Sequence, residues 1–215
     1  MFNKIFPKIH AEGYKFLVIA GIITIVLYSF SDFFGLIGFV LTIWVYYFFR
    51  DPERIIIEDD NYLVSPADGE VIKVEDVDGP IELGLENKKF KKISIFMNVF
   101  DCHVNRSPCS GTVEEVLYKP GKFINASLDK ASEDNERNYY KIKNSAGDQI
   151  IVVQIAGLIA RRIVPEAEKD HELKQGSRIG MIRFGSRADL YFENYNELVK
   201  VNQKTIAGET LLAKK

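Results

Sequence analysis

Residues 179–192 read IGMIRFGSRADLYF, and their middle holds a glycine and a serine, Gly185 and Ser186. The apolar residues Ile182, Phe184, Ala188, Leu190 and Phe192 alternate as in a half-buried strand, where a Gly-Ser pair gains least. A β-bulge accounts for the pair locally. The alternative is that the most flexible residue and a small nucleophile stand together for chemistry. Proton transfer near neutral pH is most often the work of histidine, and the chain has three. His10 precedes an apolar segment and His171 lies in the polar run KDHELK. His103, in FMNVFDCHVNRSPCSG, falls between an apolar strand and a loop punctuated by proline and glycine, and is the best placed. Cys102, His103 and Cys109 carry zinc-ligand atoms, but two adjacent ligands with the third seven positions after the first match no common zinc spacing. Asp68, in SPADG, reads equally as the first half of an Asp-Gly turn or as a carboxylate that orients a histidine and stabilises its cation.

Two kinds of element have to position these groups. The 215-residue chain has a formal charge of −2, and no basic run interleaved with aromatics points to nucleic acid. Its two cysteines lack C-x-x-C spacing and are too few for a disulfide framework, which fits a reducing, cytosolic setting. Residues 16–30 and 33–49 form two uncharged runs, FLVIAGIITIVLYSF and FFGLIGFVLTIWVYYFF, parted by Ser31 and Asp32. Each is shorter than the roughly 20 residues that span a bilayer comfortably, so the pattern predicts a helical hairpin that crosses or enters a membrane. Trp44, Tyr46 and Tyr47 gather at one end as an interfacial belt does. Lys4, Lys8 and Lys15 before the hairpin, and Arg50 and Arg54 after it, place both ends on the cytoplasmic side of the cell membrane.

The composition turns from apolar to charged at RDPERIIIEDDN, which sets a boundary between residues 1–49 and 50–215. The second part is strand-rich: YLVSPADGEVIKVEDV, KKISIFMNVFD, GTVEEVLYKPG and YYKIKNSAGDQIIVVQIAG alternate between turn signals. NSAGD marks a hairpin, and KDHELKQG reads as a loop or a helical turn. SPADGEVIKV and LVKVNQKTIAGETLLA share a strand-turn pattern that resembles the biotinyl and lipoyl carrier domains. The expected fold is therefore mainly β, a flattened barrel or sandwich like those hybrid domains, preceded by the hydrophobic hairpin. The modifiable lysine of a true carrier hairpin is missing, so carrier chemistry is not expected.

Taken in order, FFRDPER, SPADGEV, FMNVFDCHVNRSP, NERN, QIAGLIARRIV and RFGSRADL behind a hydrophobic hairpin closely resemble the short form of the phosphatidylserine decarboxylases, over essentially the whole chain. That resemblance implies a proenzyme that cuts itself. Ser186 Oγ attacks the Gly185 carbonyl, elimination releases the upstream chain, and residue 186 becomes a covalent pyruvoyl cofactor. The products are a large subunit, residues 1–185, and a small one, residues 186–215, held as a heterodimer. A Schiff base from the pyruvoyl ketone to the serine head group then lets carbon dioxide leave phosphatidylserine in the membrane, giving phosphatidylethanolamine with no metal required. By the same resemblance His103 is the candidate proton donor or substrate-positioning group, and Asp68 matches the aspartate assigned to self-cleavage. Larger members carry a second histidine three residues after the first, where this chain has Arg106, so the cleavage base stays open. Arg106, Arg137 and Arg187 are candidates to bind phosphate or carboxylate. Archaetidylserine is an alternative substrate for the same chemistry. A membrane-anchored β-sandwich adaptor and a Ser186-His103-Asp68 hydrolase are alternatives of other classes, the hydrolase without the G-x-S-x-G elbow.

Overall fold

The computed structural model describes residues 6–122, 126, 134–157, 162–183 and 186–215. It divides into two compact units, Met1–Glu53 and Arg54–Lys215.

In the first unit, helices α1 (Gly13–Phe30) and α2 (Asp32–Phe48) fold back on one another through a single extended residue, Ser31. Ser31 ends one helix and starts the next: its N–H donates to Leu27 O, and its hydroxyl caps α2 by accepting from Phe33 N. Asp32, in the first turn of α2, complements the helix dipole. Between the helices the Thr24 and Thr42 hydroxyls stand 2.9 Å apart, one donating to the other, and the hydroxyl that accepts is left to donate to a carbonyl of its own helix, Ala20 O for Thr24 or Gly38 O for Thr42. Most of the remaining apolar side chains face outward, among them Ile22, Ile25, Phe33 and Val40. Helix α1, with 18 residues, is long and apolar enough to cross a membrane, and α2 is one residue shorter. A two-stranded ribbon of β1 (Lys8–Ile9) and β2 (Arg50–Asp51) ties the two ends of the hairpin together.

The second unit is built from three antiparallel sheets. The largest has eight strands in the order β11 (Glu172–Leu173), β7 (Gly111–Lys119), β8 (Arg137–Asn144), β9 (Gln149–Ile155), β13 (Ser186–Phe192), β5 (Lys89–Met97), β4 (Gly69–Asp78) and β15 (Lys204–Thr205). It curls into a half-barrel. Two smaller sheets accompany it, β10 (Arg162–Pro165), β12 (Arg178–Arg183) and β6 (Val104–Arg106) in one, β14 (Asn196–Glu197), β16 (Leu211–Lys214) and β3 (Tyr62–Val64) in the other. The core lies between them, because alternate residues of the large sheet point inward: Ile93, Ile95 and Met97, Ile150 and Val152, Ala188, Leu190 and Phe192, Tyr140 and Ile142. The outward residues Tyr139, Ile151, Val153 and Ile155 form a second cluster with Phe90. The mainly β, flattened architecture expected from the sequence is the one observed.

Two local expectations are corrected. Residues 179–192 do not form one strand: β12 ends at Arg183 in one sheet and β13 begins at Ser186 in another, and residues 184–185 lie outside the described residues. KDHELKQG is more than a loop or helical turn, because Glu172 and Leu173 pair with Thr112 and Gly111 at the sheet's edge. The hairpin at NSAGD is present between β8 and β9, with Gly147 at φ 86°.

Candidate active site

Antiparallel pairing brings the start of β13, the end of β5 and the start of β4 to one end of the large sheet. Ser186 opens β13 opposite Met97, the last residue of β5, and Glu70 of β4 pairs with Phe96. Asp68 immediately precedes β4. Gly69 makes this approach possible: at φ +147° it lies so close to β5 that a Cβ would fall 2.1 Å from the Phe96 carbonyl oxygen.

Ser186 is fully buried, and its hydroxyl donates to Met97 Sδ at 3.8 Å. A thioether is a weak acceptor, so this hydroxyl is held loosely. The Asp68 carboxylate is held tightly. Both its oxygens accept from Arg54 Nη2, at 2.9 and 2.7 Å, and Oδ1 also accepts from the Ala207 N–H at 2.8 Å. Burial works against the charge of Arg54, but Asp68 beside it outweighs that and keeps the guanidinium firmly protonated. Arg54 also lies within electrostatic reach of Cys102, the residue before His103. His103 is wholly buried. Its Nδ1 stands 3.0 Å from the Asp101 carbonyl, which only accepts, so Nδ1 carries a hydrogen and Nε2 is the nitrogen that can exchange a proton. Its own carbonyl accepts from Ile182 N, four residues before Ser186.

The three arginines have different settings. Arg106 is nearly buried; its Nη1 donates to Gly176 O and its backbone N–H to Pro66 O. Arg187 and Arg137 fall in one row across the sheet, Arg137 and Arg187 each opposite Ile155. Alternation puts that row on the outward face, the reverse of the one carrying Ser186. There Arg187 pairs with Asp189 through two bonds of 2.6 Å, both side chains 1% exposed, and Arg137 pairs with Glu82. Burial pulls the Glu82 carboxyl upward, but the hydrogen bond from Lys119 and the Arg137 charge hold it below the usual carboxylate range. The structure thus gathers Ser186 and Asp68 at one sheet end with His103 in the adjoining loop, and it sets Arg137 and Arg187 apart. Gly185 lies outside the described residues.

Cys102 and Cys109 are buried free thiols, and burial pushes Cys109 up to about 12. Among the described residues no group of three His, Cys, Asp or Glu side chains is arranged to hold a metal ion. Arg54 had one sequence signal, its place in the charged run RDPER. Asn105, Gln154 and Asn138, all fully buried beside this site, were missed. The legible trace was Gln154, an amide at an inward position of the apolar run IIVVQIA.

A serine hydroxyl, a histidine held through Nδ1 and a carboxylate clamped by an arginine at one sheet end are the components of acyl-transfer chemistry. Comparison with known proteins narrows that class. The sequence model of the phosphatidylserine decarboxylase family matches residues 41–213. A phosphatidylserine decarboxylase proenzyme of Pelagibacter ubique is 78% identical over 215 residues, the whole of both chains. Proenzymes of the same name from Cereibacter sphaeroides and Rickettsia typhi are 50% and 46% identical, each over 99% of this chain and 92% of the relative. The chain belongs to the phosphatidylserine decarboxylase family.

Proposed function

We propose that this chain is a pyruvoyl-dependent carboxy-lyase that decarboxylates phosphatidylserine to phosphatidylethanolamine. It is made as a precursor that opens its own backbone between Gly185 and Ser186. The observation that carries the reading is Ser186 itself, a buried hydroxyl at the start of a central strand, beside the clamped Asp68 and the loop of His103.

In self-cleavage Ser186 Oγ is the nucleophile, and its soft contact with Met97 leaves it free to turn toward the preceding carbonyl. Asp68, clamped by Arg54 and the Ala207 N–H, is held in a fixed position beside the serine. His103 Nε2 is the atom that takes or returns a proton, its ring held by the bond to Asp101. A pyruvoyl group at position 186 suits the place: it needs no more room than the serine it replaces, and a carboxamide donor, Asn105, lies beside it. When formed, the group supplies the electron sink that decarboxylation at an amino-acid carbon requires. Arg106, three residues after His103 in sequence, is the residue proposed to meet an anionic part of the head group.

The products of cleavage are the fragments 1–185 and 186–215, which remain together as a heterodimer. Helix α1 is the membrane element of residues 1–49, and the basic residues Lys8, Lys15, Arg50 and Arg54 assign residues 50–215 to the cytoplasmic side. This placement suits a substrate that never leaves the leaflet.

The test is the intact mass of the purified full-length protein under denaturing conditions, beside a Ser186→Ala variant, with both assayed on phosphatidylserine vesicles. Two fragments divided after Gly185, a pyruvoyl mass on the smaller, an uncut variant and phosphatidylethanolamine formed only by the cut protein are expected. A folded, uncut wild-type chain overturns the reading.

A further inference from the structure

Three carboxamides run through the core toward Ser186. Asn138 Nδ2 donates to Gln154 Oε1 at 3.2 Å, and Gln154 Nε2 donates to Asn105 Oδ1 at 2.9 Å. Asn105 Nδ2 then donates to Pro66 O at 3.3 Å and to Met97 Sδ at 3.6 Å. All three side chains are wholly buried. Asn138 and Gln154 occupy the inward positions that continue the series of Tyr140 and Val152, and Gln154 stands opposite Ala188, two residues from Ser186. These are core positions where apolar residues would pack at no cost in polar groups.

The direction of the chain is fixed at one end. The Pro66 carbonyl only accepts, so Asn105 must turn its NH2 toward it. Asn105 Oδ1 therefore faces Gln154, and the Gln154 oxygen faces Asn138. Room for this comes from Gly180, which pairs with Asn105 at φ +150°; a Cβ there would stand 3.2 Å from Gln154 Nε2 and 2.5 Å from Val164 O. The last donor is under-committed. Asn105 Nδ2 has two hydrogens, one on a long bond to a carbonyl and one on a thioether, and that thioether is also where the Ser186 hydroxyl rests. An oxygen that gains negative charge beside Met97 is a far better acceptor than the sulfur.

We propose that Asn105 Nδ2 is the hydrogen-bond donor that stabilises the Ser186 oxygen during self-cleavage, with Gln154 and Asn138 as positioning residues that aim it. The inference rests on the self-cleavage reading above. In that step the Oγ–H bond breaks and its proton passes to the general base. Oγ bonds to the carbonyl carbon of Gly185, the C–N bond opens, and the nitrogen of residue 186 takes up a proton, which leaves the two parts joined by an ester. A base then takes the Cα hydrogen of residue 186, its electron pair forms a Cα–Cβ double bond, and the Cβ–Oγ bond opens so that Oγ leaves as part of the Gly185 carboxylate. The donor bears on both moments at which charge gathers on Oγ, and a preorganised amide in a dry site needs no reorganisation to meet it.

The experiment follows the cutting of the full-length chain, translated in vitro in the presence of lipid vesicles, between about pH 5 and 9. Asn105→Ala is expected to slow cutting about 100-fold, the usual loss for one such donor, and Gln154→Leu about 10-fold. Asn105→Asp keeps the shape but loses the donor while ionised. Its rate relative to wild type at the same pH is low at neutral pH and rises as the pH falls and the buried carboxyl gains a proton to donate; protonation of the shared base in acid slows both proteins alike and cancels in that ratio. A ratio that changes with pH in this way is one a purely structural role would not produce. Resistance to added protease, matched to Ser186→Ala, shows that each variant is folded, and Asn105→Asp carries the test if Asn105→Ala does not fold. Cutting of Asn105→Ala within about 3-fold of wild type, or a wild-type pH profile in Asn105→Asp, overturns the inference while leaving self-cleavage intact. A wild-type chain that never cuts removes both.

Discussion

Arg187 adjoins Ser186 in sequence, yet the structure makes it half of a buried ion pair on the other face of the sheet, and this assignment has a measurable consequence. Both bonds to Asp189 are 2.6 Å and both side chains are 1% exposed. Of their four strand neighbours, Ile155, Phe96 and Val153 are apolar, and the fourth, opposite Asp189, is the buried Ser94. Removing one partner leaves the other charge buried, at a cost of about 3–5 kcal/mol. For a unit of this size, where each kcal/mol moves the melting temperature by about 2–4 °C, Asp189→Asn or Arg187→Met is expected to lower Tm by about 6–20 °C. Replacing both with Arg187→Met/Asp189→Leu removes the desolvated pair altogether. The double variant should then recover most of the single losses, because well-packed apolar residues in place of a buried pair are often neutral or better. The assay is thermal unfolding of the full-length protein in detergent at one scan rate, in a Ser186→Ala background so that cut and uncut chains do not mix. Activity on phosphatidylserine vesicles is measured in parallel with Ser186 intact. A double variant as unstable as the worse single one refutes the burial argument. A raised KM with unchanged Tm would instead put Arg187 on the substrate.

Gly69→Ala should destabilise the protein by about 3 kcal/mol, since its φ of +147° and the 2.1 Å approach to Phe96 O leave no place for a methyl group; a Tm within 1–2 °C of wild type, roughly the shift expected for 0.5 kcal/mol, would contradict this. Cys109, pushed up to about 12 by burial, carries about 1 thiolate in 10,000 at pH 8, so iodoacetamide should label it only after denaturation; rapid labelling of the native protein would show the burial to be wrong. At Asp148 burial pulls the carboxyl up, but hydrogen bonds from Lys215, Asn194 and Asn144 outweigh it and hold its pKa below the usual range. Its contribution is therefore present above the unfolded value of about 3.9 and lost as pH falls through the folded one. Wild-type Tm should drop below about pH 4, and Asp148→Asn should flatten that drop; an unchanged acid profile would refute the assignment.

The hairpin of the first unit was legible because two uncharged runs meet at a polar pair, and Ser31 proves to be the entire connection. The β class was legible from alternation in β5 and β13, where the apolar core residues fall at every second position, whereas β9 is apolar on both faces. Ser186, His103 and Asp68 were found by residue type and by the order of the motifs. Their neighbours were not, for a physical reason. Arg54 meets Asp68 across 14 residues, and Gln154 meets Asn105 across 49. Such bonds are set by strand register, which alternation alone leaves undetermined. The outward placement of Arg137 and Arg187 follows from the same register. Parity along one strand shows that Arg187 and Ser186 point to opposite faces, but only the pairing reveals which face is the site. The Gly-Ser interruption looked like a bulge because the sequence keeps its apolar alternation while the chain passes from one sheet to another.

The position of β13 has a further consequence. It is an interior strand, bonded to β9 on one side and β5 on the other, and the residues after it supply β15 at the sheet's edge and β16 beside β3. A chain severed before Ser186 would keep its shortest fragment, 30 residues long, threaded through the middle of the larger one. Separation would then require tearing the sheet along two ladders at once. Maturation of this kind is a one-way ratchet: the halves, once parted, would no longer be the covalent precursor that first guided their assembly, and the lifetime of the mature particle would be the lifetime of its fold.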